Sequence, residues 1–248
     1  MPAGARFGAV ICAMATPFHA DGRVDLDGAA RLARWLVDNG NDGLVVAGTT
    51  GEGPTLTDAE KLGLWRTVRG AVTVPVIAGS GTASTTHSVE LTKAAAQIGV
   101  DAALVVVPYY NRPSQAGIEA HFRAVAAASP LPVIAYDIPK RTGREVKTAT
   151  WARLAADGAV SAIKDAAGSP AATAALVKQV PAGFEVYSGD DALTLSLLAV
   201  GAVGLISVAS LWAGPQISEM IASYAKGDTE AAQALNERLV ESWEFEGN

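Results

Sequence analysis

The sequence has 248 residues, of which half are apolar and 18% are charged. This length suits one α/β barrel or two small domains, and the apolar fraction is sufficient to bury a large core. The net charge of −6 and the absence of any run of like charges argue against a protein that binds nucleic acid through clustered basic residues.

The cysteine and histidine content indicates neither a metal site nor an intrachain disulfide. The single cysteine, Cys12, lies in an apolar run, which favours a small buried side chain. His19, His87 and His121 are far apart in the chain and lack metal-ligand spacing. We therefore expect no metal, and a reducing, cytoplasmic setting fits the one cysteine.

Two apolar segments have a superficial likeness to targeting or membrane elements. Residues 7–15 form a short apolar core behind a single arginine, which is too little for a signal peptide. Residues 193–217 carry no charge, but glycine, serine and proline interrupt them, and they divide into a helix and a strand. The sequence thus predicts neither secretion nor insertion into a membrane.

Eight short apolar runs recur along the chain and predict parallel strands that are buried on both faces. These runs are residues 9–18, 43–51, 75–81, 102–110, 132–139, 160–168, 184–191 and 203–210. Helical periodicity fills the segments between them, for example residues 25–40 and 57–72, and Thr57 with Glu60 forms a capping box. Eight βα units without a linker predict one (β/α)8 TIM barrel.

The sequence after the eighth predicted helix, near residues 216–225, indicates a further helical element. Residues 226–229, KGDT, predict a turn, and residues 228–245 have the composition of a helix. Because nothing follows this helix in the chain, we expect Trp243 and Phe245 to be exposed on a frayed terminal segment.

The sixth strand ends in the residues IKDA, with Lys164 directly after Ile163. Active sites of such barrels lie at the C-terminal ends of the strands. A lysine that is surrounded there by apolar residues has a lowered pKa, and its neutral amine can attack a carbonyl to form a Schiff base. Alternatively, Lys164 pairs with Asp165 or extends its ammonium group to the surface. The position in the sequence fits both interpretations.

Neighbouring strand ends supply groups that fit carbonyl chemistry. Residues 48–52, GTTGE, offer two hydroxyl groups and exposed backbone N–H groups for a carboxylate. Tyr109, Tyr110 and Tyr136 can transfer protons, or they can be ordinary buried aromatic residues. Arg141 follows strand five, where it can bind a carboxylate in a bidentate manner or remain a solvated loop residue.

Taken together, these motifs resemble one family. GTTGE, YYNRPS (109–114), YDIPKRTG (136–143), IKDA (163–166), SGDD (188–191) and GLISVAS (204–210) have the order and spacing found in dihydrodipicolinate synthases. These enzymes are pyruvate-dependent class I aldolases, a group that also includes N-acetylneuraminate lyase. The resemblance runs from about Phe7 to Trp243. It implies condensation of pyruvate with L-aspartate 4-semialdehyde to 4-hydroxy-tetrahydrodipicolinate, a lysine and diaminopimelate precursor, with no metal or organic cofactor.

The resemblance also implies catalytic roles for four residues. Lys164 would form the Schiff base with pyruvate. Tyr136 would transfer protons, linked through Thr49 to Tyr110, and the tyrosine that matches Tyr110 reaches the site from the neighbouring subunit of a dimer. We therefore expect a homodimer or homotetramer.

Four further residues would bind the substrates. By the same resemblance, Thr50 would hold the pyruvate carboxylate, and Arg141 would bind the carboxylate of the aldehyde substrate. Gly189 and the carbonyl group of Ile206 would complete the pocket wall.

Two departures from the family concern residues near the pocket. The family's feedback site for lysine uses polar residues at positions that here are Asp58, Lys61, Ala83 and His87. Ala83 cannot form a side-chain hydrogen bond and Lys61 repels a cation, so we predict weak or absent inhibition by lysine. Leu211 stands where relatives commonly carry a polar residue, and we expect it beside the pocket mouth.

The third departure is the C-terminus. Family members usually continue for a helical subdomain of about 40 to 50 residues beyond the barrel. We assign residues 1–225 to the catalytic barrel and residues 226–248 to a truncated C-terminal helical extension. A shortened extension can impair formation of the expected homodimer or homotetramer.

Two alternative functions are considered. A 2-keto-3-deoxy sugar acid aldolase or a sialic acid lyase would keep the Schiff base, but Arg141 with Tyr110 and Asn111 argues against both. A catalytically inactive barrel that serves binding or assembly is the alternative of another class; the presence of every residue of the proton relay argues against it.

Overall fold

The eight strands form a closed barrel in a computed structural model that describes residues 5–247. Each strand pairs in parallel with its neighbours in sequence, and the first strand pairs with the eighth. The strands are β1 Val10–Ala13, β2 Gly43–Val46, β3 Val76–Gly79, β4 Ala102–Val106, β5 Val133–Asp137, β6 Ala162–Asp165, β7 Glu185–Ser188 and β8 Gly204–Ser207. All eight lie within the predicted apolar runs, and the predicted (β/α)8 TIM barrel is confirmed.

Helices separate the strands, as the periodicity predicts. They are α1 Leu26–Asp38, α2 Asp58–Ala71, α3 Thr85–Ile98, α4 Gln115–Ala127, α5 Pro139–Thr142, α6 Thr148–Ala156, α7 Pro170–Val177, α8 Thr194–Ala199, α9 Ser210–Ala225, α10 Thr229–Arg238 and α11 Val240–Gly247. The Thr57 hydroxyl accepts a hydrogen bond from the Glu60 N–H, and the Glu60 side chain accepts one from the Thr57 N–H. The capping box is therefore present, and it fixes the start of α2.

Alternation along each strand places one set of side chains inside the barrel and the other against the helices. Tyr136 packs inside the barrel with Ile134 and Ile206. Asp137, the next residue, accepts a hydrogen bond of 2.9 Å from Trp151 Nε1 on α6. The strand register pairs Tyr136 with Lys164 across β5 and β6. Lys164 consequently belongs to the interior layer at the C-terminal end of the barrel.

Asp137 is a buried carboxyl group in the layer between barrel and helices. Burial raises its pKa to about 7; the Trp151 hydrogen bond works against this, and the nearby Asp165 adds to it. The unfolded chain has the ordinary, lower pKa, so the folded protein binds more protons between pH ~4 and ~7, and stability falls as the pH rises through this window.

The substitution Asp137→Asn should therefore remove this pH dependence and stabilise the protein above pH 7. We expect a flatter profile of unfolding free energy between pH 4 and 7, measured by urea unfolding at a series of pH values. Asp38→Asn, at an exposed position near the end of α1, is the control and should leave the profile as in the parent protein. An unchanged profile in Asp137→Asn would contradict the assignment.

The C-terminal segment packs more closely than we expected. α10 places Ala232 and Leu235 in a hydrophobic cluster with Val10 of the barrel and Ile217 of α9. The helix predicted over residues 228–245 breaks at Leu239, so that α11 packs against the short 3-10 turn Asp191–Leu193 that follows β7. The prediction of an exposed Trp243 was wrong, because this residue is only 9% exposed; Phe245 is 73% exposed, as expected.

The uncharged segment 193–217 divides into α8, β8 and the start of α9. Within residues 5–247, no helix has the length and apolar character that crossing a membrane requires. The division of the chain into a barrel of residues 1–225 and an extension of residues 226–248 stays a prediction.

Candidate active site

Lys164 lies at the C-terminal end of β6 and is buried, with 4% of its surface exposed. Its Nζ lies 4.5 Å from the centroid of the Tyr136 ring. Asp165 faces the other side of the strand, where its carboxylate accepts hydrogen bonds from Thr173 Oγ1 and the Ala167 N–H. Both alternative interpretations, pairing with Asp165 and extension to the surface, were therefore wrong. The amine is held inside the barrel, over an aromatic ring.

Gly189, directly after β7, is the residue that leaves room for the lysine stem. A Cβ atom at this position would lie 2.9 Å from Lys164 Cγ, 3.1 Å from Lys164 Cε and 3.0 Å from Ala166 Cβ. These distances are shorter than ordinary carbon contacts, so a larger residue must displace the lysine side chain. Only glycine fits this position without such a shift.

On the expectation that Lys164 is the nucleophile, Gly189→Ala should lower kcat/KM by about tenfold or more, because a displaced amine would not meet a substrate in reactive geometry. The measurement is a steady-state assay with the two substrates that the sequence resemblance implies, with circular dichroism to verify the fold. Gly70→Ala is the matched control, since the added methyl group on α2 meets nothing within 4 Å. Equal activities of the two variants would show that the Lys164 stem tolerates the methyl group.

A cavity of about 430 Å³ opens above the lysine. It is lined by six of the eight residues predicted for the site, namely Lys164, Tyr136, Thr49, Thr50, Arg141 and Gly189. The cavity thus collects an amine, a phenol, two hydroxyl groups and a guanidinium group within one concave site.

A second, larger cavity of about 530 Å³ adjoins the first and shares Thr49, Tyr136 and Arg141 with it. Tyr110 lines this larger cavity, yet 93% of its surface is exposed. The structure therefore places Tyr110 on the outer side of the site, away from the buried Lys164. Ile206 lies in the barrel interior and lines neither cavity, whereas Val208, two residues further, lines the smaller one.

Backbone strain marks the two loops that carry the hydroxyl groups. Among the described non-glycine residues, positive φ angles occur at Ala47, Glu52, Tyr110 and Arg112, which lie in or beside the GTTGE and YYNR segments. Such conformations cost free energy and persist where the surrounding structure enforces them, often at functional sites. The GTTGE turn is held from below by a hydrogen bond of 2.6 Å from Thr16 Oγ1 to the Gly51 carbonyl.

Arg141 belongs to the short helix α5, which begins with Pro139 directly after the strand that carries Tyr136. Its side chain lines both cavities and forms no ion pair with any carboxylate among residues 5–247. A guanidinium group in such a position can bind a carboxylate that a substrate brings.

Two residues have positions that the sequence did not predict. Trp243 of α11 lines the smaller cavity together with Lys164. Leu211 lines neither cavity and instead packs against the cluster around α1 and α2, so its expected position beside the pocket mouth was wrong. No local sequence signal identifies Trp243, because its position depends on how α11 folds back onto the barrel.

The structure supports neither Cys12 as a nucleophile nor a metal site among the described residues. Cys12 is fully buried, and burial raises the pKa of its thiol to about 12, so the reactive thiolate is not populated at neutral pH. In the part of the chain that the structure describes, no three His, Cys, Asp or Glu side chains come together as a metal site.

The polar residues expected at a lysine effector site lie at the larger cavity. His87 Nε2 is 3.0 Å from both carboxylate oxygens of Asp58, and Lys61 Nζ is 4.0 Å from Asp58 Oδ1. These three residues line the cavity, but Ala83 does not. The one carboxylate present is thus already in contact with two basic groups.

Comparisons with known proteins find relatives over most of the chain. The sequence profile of the dihydrodipicolinate synthetase family matches residues 6–244. A 4-hydroxy-tetrahydrodipicolinate synthase of Moorella thermoacetica is 53% identical over 236 residues, which are 94% of this chain and 81% of the relative. A synthase structure from Cyanidioschyzon merolae with lysine bound superposes with a TM-score of 0.94 at 45% identity, over 96% of this chain and 82% of that one.

A further solved relative bears on assembly. It is described as a monomeric dihydrodipicolinate synthase variant and superposes with a TM-score of 0.91 at 37% identity, covering 94% of this chain and 79% of its own. At least one protein with this fold is thus described as a monomer.

Proposed function

The chain belongs to the dihydrodipicolinate synthetase family, and we propose how its site carries out the activity of that family, the condensation of pyruvate with L-aspartate 4-semialdehyde to 4-hydroxy-tetrahydrodipicolinate. It is a lyase of the Schiff-base type. One observation carries the proposal: the Lys164 amine is buried 4.5 Å from the Tyr136 ring, in a cavity that Arg141 also lines. Formation of the cyclic product from the two substrates by the purified protein, followed by mass spectrometry, tests the activity.

Lys164 is the nucleophile of the proposed mechanism. Its neutral amine attacks the C2 carbonyl of pyruvate, and the resulting carbinolamine loses water to give an imine. Loss of a proton from C3 forms an enamine, whose carbon attacks the aldehyde carbon of the second substrate. This step restores the imine at C2, and the aldehyde oxygen takes up a proton to become a hydroxyl group. The amino group of that substrate then replaces Lys164 at C2, which closes the ring and releases the enzyme. Atoms and charges balance without any cofactor.

Two different residues of the smaller cavity hold the substrate carboxylates. The pyruvate carboxylate binds at the turn of Thr50, where hydroxyl and backbone N–H groups are close together. The carboxylate of aspartate semialdehyde binds to Arg141, whose guanidinium group has no other ion-pair partner among the described residues. Gly189 forms part of the wall beside Lys164, whereas the wall role expected for the Ile206 carbonyl is not part of this proposal, because Ile206 lines neither cavity.

Tyr136 transfers protons between the carbinolamine and the outside, through Thr49 and then Tyr110. Thr49 and Tyr136 line both cavities, so they connect the buried amine with the larger, outer cavity. Tyr110 is 93% exposed in the isolated chain, which supports a role that is completed when a second copy of the chain covers it. A homodimer or homotetramer is therefore proposed as the active form, and a cytoplasmic location stays a prediction.

Lysine is expected to inhibit this enzyme weakly or not at all. Lys61 places a positive charge near the position that a lysine effector, itself a cation, would take. The Asp58 carboxylate, which could bind such a cation, is already in contact with His87 and Lys61. An inhibition curve with lysine should remain flat into the millimolar range. The variant Lys61→Ala lacks the repelling charge, so its inhibition curve, compared with that of the parent protein, shows whether this charge is what excludes lysine. Half inhibition of the parent protein at micromolar lysine would show that the larger cavity binds this cation after all.

A further inference from the structure

The C-terminal helix α11 is attached to the barrel from its outer side. Trp212 at the start of α9 donates a hydrogen bond of 3.3 Å from Nε1 to Ser242 Oγ. The rings of Trp212 and Phe245 meet edge to face, with 5.5 Å between their centroids and an angle of 85°. These contacts hold α11 across the C-terminal end of the barrel, because Trp212 follows β8 by only a few residues.

The same helix turns Trp243 inward. Trp243 packs with apolar residues of α9 and α10, and it is one of the residues that line the smaller cavity, together with Lys164 and Arg141. It does not line the larger cavity. Trp243 thus closes the amine-containing part of the site, while the larger cavity remains next to the shared residues Thr49 and Tyr136.

The indole is placed by packing and not by a polar contact. Trp243 is 9% exposed, and its buried Nε1 has no hydrogen-bond partner within residues 5–247. Buried indole N–H groups usually find an acceptor, so an unpaired one is uncommon. The ring is therefore held by apolar packing, and a ligand that extends from Lys164 toward Trp243 meets an apolar residue there.

We propose that Trp243 is a specificity-determining residue, which limits the length of the aldehyde that the pyruvate enamine can attack. This inference rests on the proposed function of Lys164 and adds a residue from outside the barrel. A short aldehyde acid fits between the enamine and Arg141, whereas each additional methylene group must find space against the indole. Apolar contacts of this kind discriminate by about 10- to 200-fold per methylene group.

Two matched aldehydes test the proposal. 4-Oxobutanoate and 6-oxohexanoate both carry an aldehyde and a carboxylate, and they differ by two methylene groups. Neither has the amino group that displaces Lys164 in the proposed mechanism, so water hydrolyses the final imine and releases an open-chain hydroxy keto diacid. We would offer both in one reaction with pyruvate and quantify the two products by mass spectrometry, which gives the ratio of their kcat/KM values. In Trp243→Ala this ratio should shift toward the longer aldehyde by about tenfold or more.

Two further variants make the result specific. Trp243→Phe keeps an aromatic ring and should shift the ratio in the same direction by a smaller factor, so it carries the test if Trp243→Ala fails to fold. Trp35→Ala removes a tryptophan that is 47% exposed on α1 and lines neither cavity, and it should leave the ratio unchanged. A general loss of activity toward both aldehydes, with the ratio constant, would assign Trp243 a structural role and overturn the proposal.

Borohydride trapping separates this inference from the function on which it rests. Parent protein and Trp243 variants are incubated with pyruvate and reduced, and the adduct on Lys164 is measured. An adduct in all proteins together with a constant aldehyde ratio overturns only the role of Trp243. No adduct in the parent protein overturns the proposed role of Lys164, and the role of Trp243 with it.

Discussion

Replacement of Lys164 by arginine should reduce synthase activity by about 10³-fold or more, because the reaction then lacks its proposed nucleophile. Arginine keeps the long stem and the positive charge, but its guanidinium group stays protonated and cannot attack pyruvate. If Lys164 acted only through its positive charge, Lys164→Arg would keep most of the synthase activity. Product formation by mass spectrometry at high enzyme concentration is the measurement.

The matched control is Lys61→Arg. Lys61 is also buried, with 6% exposure, but it lies on α2 at the larger cavity. This variant should retain activity within about threefold of the parent protein, as expected for a substitution outside the reacting groups. Loss of activity in Lys61→Arg and its retention in Lys164→Arg would contradict the mechanism.

Tyr136→Phe should lower kcat by about 10²- to 10³-fold, in the range of a lost general acid–base group. The phenyl ring preserves the surface that lies 4.5 Å from Lys164 Nζ, so the lysine keeps its position while the hydroxyl group is absent. Imine formation with pyruvate should become slower without being abolished. Steady-state rates and the time course of borohydride trapping measure the two effects separately.

Tyr224→Phe, on α9 and outside both cavities, controls for the loss of a phenol. It should have parent activity. Should Tyr136→Phe also retain full activity, the proton would have to be transferred by another group, and the path through Thr49 to Tyr110 would lose its first member.

Much of the fold and of the site follows from local patterns. The apolar runs predict buried parallel strands because a strand that is covered on both faces has no polar position to fill. The rule that barrel sites lie at the C-terminal strand ends then brings Lys164, Tyr136 and Arg141 together, although they stand on different loops and strands. The structure places all three around one cavity.

Other features depend on tertiary packing and have no local signal. The break at Leu239 directs α11 onto the barrel, so Trp243 becomes a cavity wall where the helical pattern predicted an exposed residue. Leu211 turns toward α1 and α2, away from the cavity. The raised pKa of Asp137 reflects its burial between β5 and α6. The sequence, in which this aspartate simply follows a tyrosine, gives no sign of that burial.

The central claim is that Lys164 forms an imine with pyruvate, and one experiment tests it most directly. The protein is incubated with pyruvate, reduced with borohydride, and analysed as intact mass and as peptides. The mechanism predicts a gain of about 72 Da on the peptide that contains Lys164, and no gain in Lys164→Ala. A folded parent protein without this adduct, or with the adduct on another lysine, would contradict it.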